Sequence, residues 1–301
     1  MECANVFPVE LVVIDDLPSV PQPPAAQRRN NLDRDCTGKA ANTMKRSFIL
    51  LMLVLGSTEA NRCTDVDGVL KQIDAGNGMV FGVNASGSVY ARAGNSWILF
   101  PGNLKHVTVG PAGVWGIGQN MDVYQLVAGT WFPVTSERLV QVDAGGERFV
   151  AGVDRFGSTL CLSQEELGQV GRNRSLNFRS VGSRMRYLSC GPLGCWGVTL
   201  AKDVYYRLNV RPSACLGTSW ARVFGKFQMI EVATDGHVFG VSITKQLYMR
   251  KGITADKPTG WGWTKVQIGN LRFRHVSWDL GHLWLLRDNG LVVRCSHTDN
   301  S

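Results

Sequence analysis

Charged residues, histidines and long apolar runs are all scarce in this sequence. Asp, Glu, Lys and Arg make up only 19% of its 301 residues, and no Lys/Arg cluster is dense enough to indicate nucleic-acid binding. No apolar run is long enough to span a bilayer, and no nucleophile elbow or phosphate-binding loop is present. The five histidines are His106, His237, His275, His282 and His297. These absences argue against nucleic-acid binding, against membrane-spanning helices and against the common hydrolase and nucleotide-binding classes.

Glycine and tryptophan are abundant instead. The chain has 34 glycines and 9 tryptophans, and 44% of its residues are apolar, which is enough to bury a core. Glycines interspersed with aromatic residues are typical of short strands joined by many tight turns. The composition therefore favours an all-β protein.

Residues 44–60 read MKRSFILLMLVLGSTEA and have the three parts of a secretory signal peptide. A basic pair opens the segment, and the apolar run 48–55 is too short to cross a bilayer. Thr58 and Ala60 supply the small residues that precede a cleavage point. We expect cleavage after Ala60, secretion of residues 61–301 and disulfide bonds among the remaining cysteines.

Residues 1–43 are proline-rich around 18–24, mixed in charge and without hydrophobic periodicity. We interpret them as a non-native or disordered extension, with Met44 as the true start. The alternative is a cytosolic tail ahead of a membrane anchor, which the short apolar run disfavours. Without residues 1–60 the chain has 26 Lys and Arg against 17 Asp and Glu, a net charge of +9. That charge suits anionic microbial or egg surfaces, and it suits an ordinary soluble basic protein equally well.

A repeated unit occurs six times along residues 61–301. Its most regular part is an anchor residue followed, in five of the six units, by glycine and an aliphatic residue, and the anchors step by 34, 36, 45, 43 and 45 residues. Polar and apolar residues alternate before each anchor, as in a strand with one buried face. Four short strands at this spacing are typical of one blade of a β-propeller. The anchors are Phe81, Trp115, Ala151, Trp196, Phe239 and Trp284.

Glycines and aromatic residues recur at fixed positions of the repeat. We expect the glycine after each anchor to lie where neighbouring sheets converge, because a side chain there would obstruct close packing. The aromatic residues of the fourth strands are interpreted as packing between blades rather than as ligand platforms. They are Trp97, Trp131, Phe178, Trp220 and Trp263.

The last repeat has no fourth strand of its own before the chain ends. Cys63 precedes Leu70 by the same interval at which Trp97 precedes Leu104, so residues 63–66 occupy a fourth-strand position. The predicted fold class is therefore an all-β, six-bladed propeller. Its ring is closed by the N-terminal strand of the mature chain, which completes the last blade.

The cysteines of residues 61–301 test this alignment. Cys63 and Cys295 align with Trp97 and Arg92, which face each other across a short hairpin, so a disulfide is predicted between the two cysteines. The other predicted pairs are Cys190–Cys195, which flanks a four-residue turn, and, less securely placed, Cys161–Cys215.

A metal site is the rival interpretation of Cys190 and Cys195. Their spacing is loose for zinc, and no second Cys or His pair lies nearby in the sequence. We expect no metal or other cofactor. Repeated turn acids leave calcium open, although no EF-hand-like spacing exists.

Three segments resemble the tectonin repeats of fish-egg lectins. They are residues 70–84 (LKQIDAGNGMVFGVN), 106–116 (HVTVGPAGVWG) and 230–236 (IEVATDG). The resemblance runs from about Cys63 to Cys295. It implies a secreted tectonin β-propeller lectin that binds N-acetylglucosamine-type sugars and microbial polysaccharides in innate defence or egg fluid.

The turns between first and second strands carry residues suited to sugar binding. Carboxylate and amide groups accept hydrogen bonds from sugar hydroxyls, and several weak sites together give avidity. The same residue types also serve turns without binding a ligand. The candidate carbohydrate-binding residues are Asp74, Asn77, Asp143, Glu147, Asp235, His237, Asp279 and His282.

Three function classes follow. A lectin that binds N-acetylated glycans and microbial polysaccharides is the leading hypothesis, with a homo-oligomer left open. The alternative is a protein-interaction propeller, or a structural egg component without sugar binding. A hydrolase would need Asp143 and Glu147 as a glycosidase pair, but two acids in one turn are a common coincidence, so we predict no catalytic residue and no enzyme. Asn84 and Asn173 lie in glycosylation sequons and are predicted to carry glycans.

Overall fold

The computed structural model describes residues 62–169 and 175–296. These residues all fall within one compact unit, Ser57–Ser301. The predicted extension 1–43, the predicted signal peptide 44–60 and the sequon residue Asn173 lie outside the described residues.

The described residues form short β-strands almost throughout, and the only helix among them is α1, Gln164–Leu167. The first strands along the chain are β1 Arg62–Val69, β2 Gln72–Gly76, β3 Met79–Val83, β4 Ser88–Ala93, β5 Ser96–Gly110, β6 Gly113–Gly118, β7 Asp122–Val127, β8 Thr130–Asp143, β9 Val150–Asp154, β10 Ser158–Leu162 and β11 Arg179–Arg184. The remaining strands are β12 Tyr187–Gly191, β13 Gly194–Val198, β14 Asp203–Arg207, β15 Trp220–Val232, β16 Val238–Ser242, β17 Leu247–Lys251, β18 Gly262–Lys265, β19 Phe273–Asp279, β20 His282–Arg287 and β21 Leu291–Ser296.

The strands pair antiparallel with their sequence neighbours. They form one sheet in the order β1-β21-β20-β19, a second containing β2 to β11 in chain order and a third containing β12 to β18 in chain order. The long strands β5, β8 and β15 each serve two hairpins. In β5, residues 96–103 pair with β4 and residues 104–110 pair with β6. The chain is thus a succession of four-stranded antiparallel units, and the predicted all-β class is confirmed.

We name four of these units for reference. The first unit contains β2, β3, β4 and residues 96–103, and the last unit contains β19, β20, β21 and β1. The β12–β14 unit ends with the first part of β15, and the β16–β18 unit begins with its second part.

The N-terminal strand completes the last unit, as predicted. β1 pairs antiparallel with β21, and Cys63 lies directly opposite Cys295. A disulfide joins these two cysteines across a sequence separation of 232 residues. The other two predicted pairs are also confirmed, since disulfides join Cys161 to Cys215 and Cys190 to Cys195.

Two sets of glycines allow close packing, and only one set lies where units meet. A Cβ on Gly82, the glycine after the Phe81 anchor, would lie 2.5 Å from Leu70 of the same unit. A Cβ on Gly76, at the end of β2, would lie 2.3 Å from the carbonyl oxygen of Val109 in the next unit. The expected convergence of sheets at the anchor glycines is therefore wrong. The anchor glycines make room for a side chain of their own unit, and the units approach most closely at the ends of their first strands.

The fourth-strand tryptophans connect neighbouring units, as predicted. The indole Nε1 of Trp97 donates a hydrogen bond to the carbonyl oxygen of Asp67 at 2.7 Å, which links the first unit to β1 of the last unit. An indole between two apolar surfaces needs such an acceptor for its N–H. The same contact recurs from Trp131 to Pro101, from Trp220 to Gly182 and from Trp263 to Phe224.

Candidate functional site

Polar side chains of the first strands are buried and accept hydrogen bonds from the backbone of the next unit. Asp74 Oδ2 accepts from Val109 N at 2.7 Å, and Asp143 Oδ1 accepts from Cys190 N at 2.9 Å. The two residues are only 7% and 8% exposed. The same contact is made by Thr108 with Ala144 N, by Ser189 with Val232 N and by Ser277 with Ala75 N.

Burial raises the pKa values of these interior carboxyls. The pKa of Asp143 rises to about 8, because burial disfavours the charged form and the charge of Asp74 adds to the effect. Burial raises the pKa of Asp74 to about 6. Burial and the neighbouring carboxyls hold the pKa of Glu231 well above its ordinary value. Asp74 and Asp143 are thus structural acceptors inside the protein, not the exposed turn residues that sequence reasoning assumed, and we leave them out of the candidate site.

Asn77, Asp279 and His282 come together where the first and last units meet. A cleft of about 190 Å³ opens there, which we call the junction cleft. Asp279 Oδ2 accepts a hydrogen bond from Gly78 N at 2.7 Å, so the last unit holds the turn that follows β2. Asn77 is exposed beside Gly78. The cleft is lined by Gly78, Val80, Arg92 and Gly94 of the first unit and by Asp279, Leu280, His282 and Trp284 of the last unit.

Two nitrogen atoms in the junction cleft lack hydrogen-bond partners. Arg92 Nε and His282 Nδ1 are buried, and neither has a partner among the described residues. The guanidinium carbon of Arg92 lies 5.3 Å from the ring centre of Trp97, which in turn contacts Trp284 edge to face. Leu280 is 74% exposed, so the cleft combines unsatisfied donors with an apolar surface.

Asp235 and His237 line a second cleft, about 230 Å³ in volume, which we call the matched cleft because its arginine is equivalent to Arg92. Gly240 pairs with Tyr248 as Gly82 pairs with Tyr90, which places Arg250 at the position of Arg92. The matched cleft lies between two units that are consecutive in the chain. It is lined by Leu193 of the β12–β14 unit and by Asp235, Gly236, His237, Met249, Arg250, Lys251, Gly252 and Ile253 of the β16–β18 unit.

Three polar residues of the matched cleft, Asp235, His237 and Arg250, have hydrogen-bond partners within the protein. His237 Nδ1 lies 3.0 Å from Asp235 Oδ1, and Trp278 Nε1 donates to Asp235 Oδ2 at 2.6 Å. Burial would raise the pKa of Asp235, but the hydrogen bonds from His237 and Trp278 outweigh it and hold that pKa below its ordinary value. Arg250 Nε donates to the carbonyl oxygen of Thr259 at 2.7 Å.

An exposed tryptophan stands beside the matched cleft. Trp261 is 68% exposed, and its backbone N donates to the carbonyl oxygen of Lys251 at 2.9 Å. Its indole packs so closely on Gly252 that a Cβ there would lie 2.0 Å from the ring. An exposed ring of this kind offers a flat apolar surface to the apolar face of a sugar.

The remaining predicted residue and a third cleft lie apart from these two sites. Glu147 is exposed in the loop after β8, away from either cleft lining. A cleft of about 430 Å³ is lined by residues 265–273 and the turn between β16 and β17, and it contains no predicted site residue. In the described ranges, no group of three or more His, Cys, Asp or Glu residues is arranged to hold a metal ion. No helix in those ranges is long and apolar enough to cross a membrane.

Sequence reasoning missed Arg92, Arg250 and Trp261. A signal for the arginines was present, because arginine occurs two residues after the third-strand tyrosine at Tyr90, Tyr205 and Tyr248. Trp261 lies in one of the long connections between third and fourth strands, outside the repeated strands, so no repeat position indicates it.

Successive four-stranded antiparallel units held together by tryptophan and first-strand contacts define a β-propeller of tectonin repeats. A family model described as "Tectonin domain" matches residues 69–288. The chain belongs to the tectonin family, which includes the fish-egg lectins.

Two curated relatives and one solved structure illustrate the similarity. The fish-egg lectin of Cyprinus carpio is 37% identical over 238 residues, covering 79% of this chain and 99% of that protein. A tectonin beta-propeller repeat-containing protein of Drosophila melanogaster is 29% identical over 92 residues, covering 28% of this chain and 7% of that protein. The structure of virginiamycin B lyase from Staphylococcus aureus covers 77% of this chain and 79% of its own, with a TM-score of 0.50 and 10% identity. That last likeness concerns the fold alone, since one fold hosts many functions.

Proposed function

We propose that the protein is a secreted, non-catalytic lectin that binds N-acetylglucosamine-type sugars and microbial surface polysaccharides, in innate defence or in egg fluid. The observation that carries this proposal is a pair of clefts that have an arginine at the same strand position. Each combines an arginine, a histidine and an aspartate, with tryptophan close by. A few polar groups set against apolar surface are what a small-ligand site needs. The 37% identity to a fish-egg lectin supports the same conclusion.

The proposal includes a ring of six blades. Side chains of the first strands link consecutive units, and Ser277 Oγ, which accepts from Ala75 N at 2.9 Å, leads from the last unit back to the first. The pairing of β1 with β21 places the start and end of the mature chain in one blade. Such closure protects sheet edges that would otherwise attract other chains.

Secretion is supported by the cysteines. All six described cysteines are in disulfide bonds, which persist in oxidising compartments and are rare in the cytosol. The sequon at Asn84 lies in an exposed turn, and Asn84 Oδ1 accepts from Ser86 N and Ser88 N. We propose that Asn84 and Asn173 carry glycans.

Retention on an N-acetylglucosamine matrix tests the lectin proposal. Oxidised protein should bind the matrix and elute with free N-acetylglucosamine, and binding should strengthen on multivalent polysaccharide because weak sites add through avidity. Reduced and alkylated protein is the control, since its fold lacks the three disulfides. Failure of oxidised protein to bind either the matrix or a glycan array would contradict the proposal.

A protein-interaction role is the second candidate. It is favoured by large apolar side chains at the surface, of which Phe224 is 94% exposed and Leu99 is 65% exposed. Recovery of a single protein partner that survives excess sugar and deglycosylation would support it. Turnover of chito-oligosaccharides would instead indicate an enzyme.

A further inference from the structure

The equivalent arginines of three units differ in what satisfies their Nε–H group. Arg207 Nε donates to the carbonyl oxygen of Leu216 at 2.8 Å, and Arg250 Nε donates to that of Thr259 at 2.7 Å. Arg92 Nε is buried and has no partner among the described residues. All three guanidinium groups pack 5.2 to 5.3 Å from the ring of their own hairpin's tryptophan, so their placement is the same and only the acceptor differs.

Hairpin length explains the difference. Residues 208–219 and 252–261 connect the third and fourth strands in the other two units, and these long segments supply the accepting carbonyls. In the first unit, Ala93 pairs directly with Ser96, so two residues make the turn. This short turn contains no further residues whose carbonyl oxygen could lie beside Arg92. Arg92 shares this lack of an acceptor with Arg274 and Arg287 of the last unit; because a buried donor without a partner is costly, we take an acceptor from outside the chain as the counterpart of Arg92 Nε–H.

His282 adds a second unsatisfied nitrogen to the junction cleft. Its Nδ1 is buried without a partner in the described part of the chain, whereas His237 of the matched cleft contacts Asp235. Guanidinium Nε–H can only donate, and imidazole Nδ1 donates in one neutral tautomer and in the imidazolium. A ligand must present an acceptor oxygen to Arg92 Nε, and an acceptor oxygen also satisfies His282 Nδ1 when that nitrogen carries the proton.

Charge around Arg92 favours an anionic ligand. Neither Arg92 nor Arg294 forms an ion pair within the described residues, although Arg294 lies against Trp284 of the same cleft. Burial and the charge of Arg294 lower the pKa of Arg92, and Asp67 offsets this only in part. The carboxylate of Asp279 is already occupied, since it accepts from Gly78 N and Thr234 Oγ1.

We propose that the junction cleft binds an acidic sugar, whose carboxylate or sulfate accepts hydrogen bonds from Arg92 Nε and His282 Nδ1. The matched cleft lacks these two unsatisfied nitrogen atoms, although Lys251 adds a cation to its lining, and it takes a neutral sugar. This inference rests on the proposed lectin function. A planar guanidinium suits a carboxylate because it offers parallel N–H donors. The volume of about 190 Å³ is below the roughly 300 Å³ of the smallest drug-sized pockets, so the cleft holds one sugar residue rather than a chain.

Calorimetry of the purified protein with three sugars tests the proposal. The probes are glucuronic acid, N-acetylglucosamine 6-sulfate and neutral N-acetylglucosamine. At least one acidic sugar should bind about tenfold more tightly than the neutral sugar, since charged hydrogen bonds exceed neutral ones by this amount. Arg92→Gln should abolish that preference, and Arg250→Gln, the matched control, should keep it. The acidic sugar that binds more tightly identifies the anionic group as carboxylate or sulfate.

Each outcome separates this inference from the lectin proposal. Binding of N-acetylglucosamine without any acidic preference would overturn the inference and leave the lectin intact. An equal loss in the Arg92→Gln and Arg250→Gln variants would also overturn it. If Arg92→Gln does not fold, proton–nitrogen NMR spectra of the unaltered protein test whether the acidic sugar contacts Arg92, through the arginine Nε–H signals. The Arg92 signal should then shift on addition of the acidic sugar and the Arg250 signal should not, and a stationary Arg92 signal would contradict the site.

Discussion

The junction cleft and the matched cleft are built from equivalent strands, yet their polar groups are used differently. In the matched cleft, Thr259 accepts from Arg250, and Asp235 holds His237. In the junction cleft, Arg92 and His282 keep nitrogen atoms without partners. The arginine occupies the same position of the third strand in both units. The length of the hairpin that follows it therefore decides whether its Nε–H bonds within the protein or to a ligand. Diversity in a repeat protein can thus arise in a turn while the strands stay constant.

The clefts also differ in covalent continuity. Strand β15 runs through both units of the matched cleft, but the two units of the junction cleft lie at opposite ends of the chain. β1 and the Cys63–Cys295 disulfide hold the last unit together. Trp97 connects it to the first unit. Changes to this disulfide or to Trp97 should therefore affect the junction cleft more than the matched cleft.

Removal of the Cys63–Cys295 disulfide should have the largest effect. Cys63→Ala with Cys295→Ala opens a loop of 232 residues, and loss of a native disulfide costs about 2–5 kcal/mol of unfolding free energy. Urea denaturation measures this loss. Titration with an acidic sugar measures the affinity of the junction cleft, and titration with a neutral sugar measures that of the matched cleft. Binding at the junction cleft should weaken more. Cys190→Ala with Cys195→Ala, which opens a loop of only five residues' separation, is the control and should cost less. Equal losses in both clefts would show that covalent continuity does not distinguish them.

A rise in pH should destabilise the scaffold that the clefts share. Asp74 of the first unit and Glu231 of the β16–β18 unit both contact Ser277. The folded protein holds protons on Asp143 up to about pH 8 and on Asp74 up to about pH 6, whereas the unfolded chain releases them near pH 3.8. Stability from these groups is therefore complete below about pH 4 and is lost as the pH rises through 6 and 8, by on the order of a few kcal/mol. Urea midpoints measured from pH 7 to 9 should fall steadily; below pH 7, burial of His106 and His275, which lowers their pKa values to about 4 and about 3, acts in the opposite direction.

The Asp143→Asn variant tests the cause of that pH dependence. Its amide oxygen can still accept from Cys190 N but carries no charge, so stability should fall less steeply with pH. Glu147→Gln is the control, because its side chain is already exposed to water. A profile unchanged by Asp143→Asn would exclude this carboxyl as the source.

Replacement of Trp261 should affect the matched cleft alone. In an Arg92→Gln background, Trp261→Ala should lower the affinity for neutral sugar about threefold to tenfold, the worth of one aromatic contact. Stability should change by no more than about 0.5 kcal/mol, since the side chain is largely exposed. Trp263→Ala is the contrasting control, because Trp263 donates to Phe224 and packs on Phe227, so its loss should destabilise the protein. Unchanged sugar affinity in Trp261→Ala would remove this ring from the site.

The smallest effect is expected at Asn84, which lies outside both cleft linings. Ser86→Ala removes the sequon but keeps Asn84 Oδ1 as acceptor for Ser88 N. Intact mass should fall by one glycan, and both sugar affinities should stay the same. A changed affinity in either cleft would mean that the glycan contributes to recognition.

Strand positions were predictable from the sequence because each repeat has the same pattern. The residues of the candidate site were predictable only in part. The register that places Cys63 opposite Cys295 follows from counting residues within one hairpin. The burial of Asp74 cannot be predicted by such counting, because its hydrogen-bond donor, Val109 N, belongs to another unit. The sequence therefore indicates that Asp74 is one of the polar residues of an alternating strand, whereas in the structure every residue of β2 is buried. Asp279 and His282 were found from their turn, but their proximity to Arg92 depends on how the first and last units meet.

The position of β1 has a consequence for biosynthesis. A ribosome makes this strand before every other strand of the protein, yet its partner β21 emerges last. During translation Cys63 therefore lacks its native partner while Cys161, Cys190, Cys195 and Cys215 appear one after another. A nascent chain has several wrong partners for Cys63 before the right one exists, and thiol–disulfide exchange can correct such pairings. Formation of the Cys63–Cys295 disulfide thus waits for the synthesis of β21, and disulfide-exchange catalysts should speed the correct pairing.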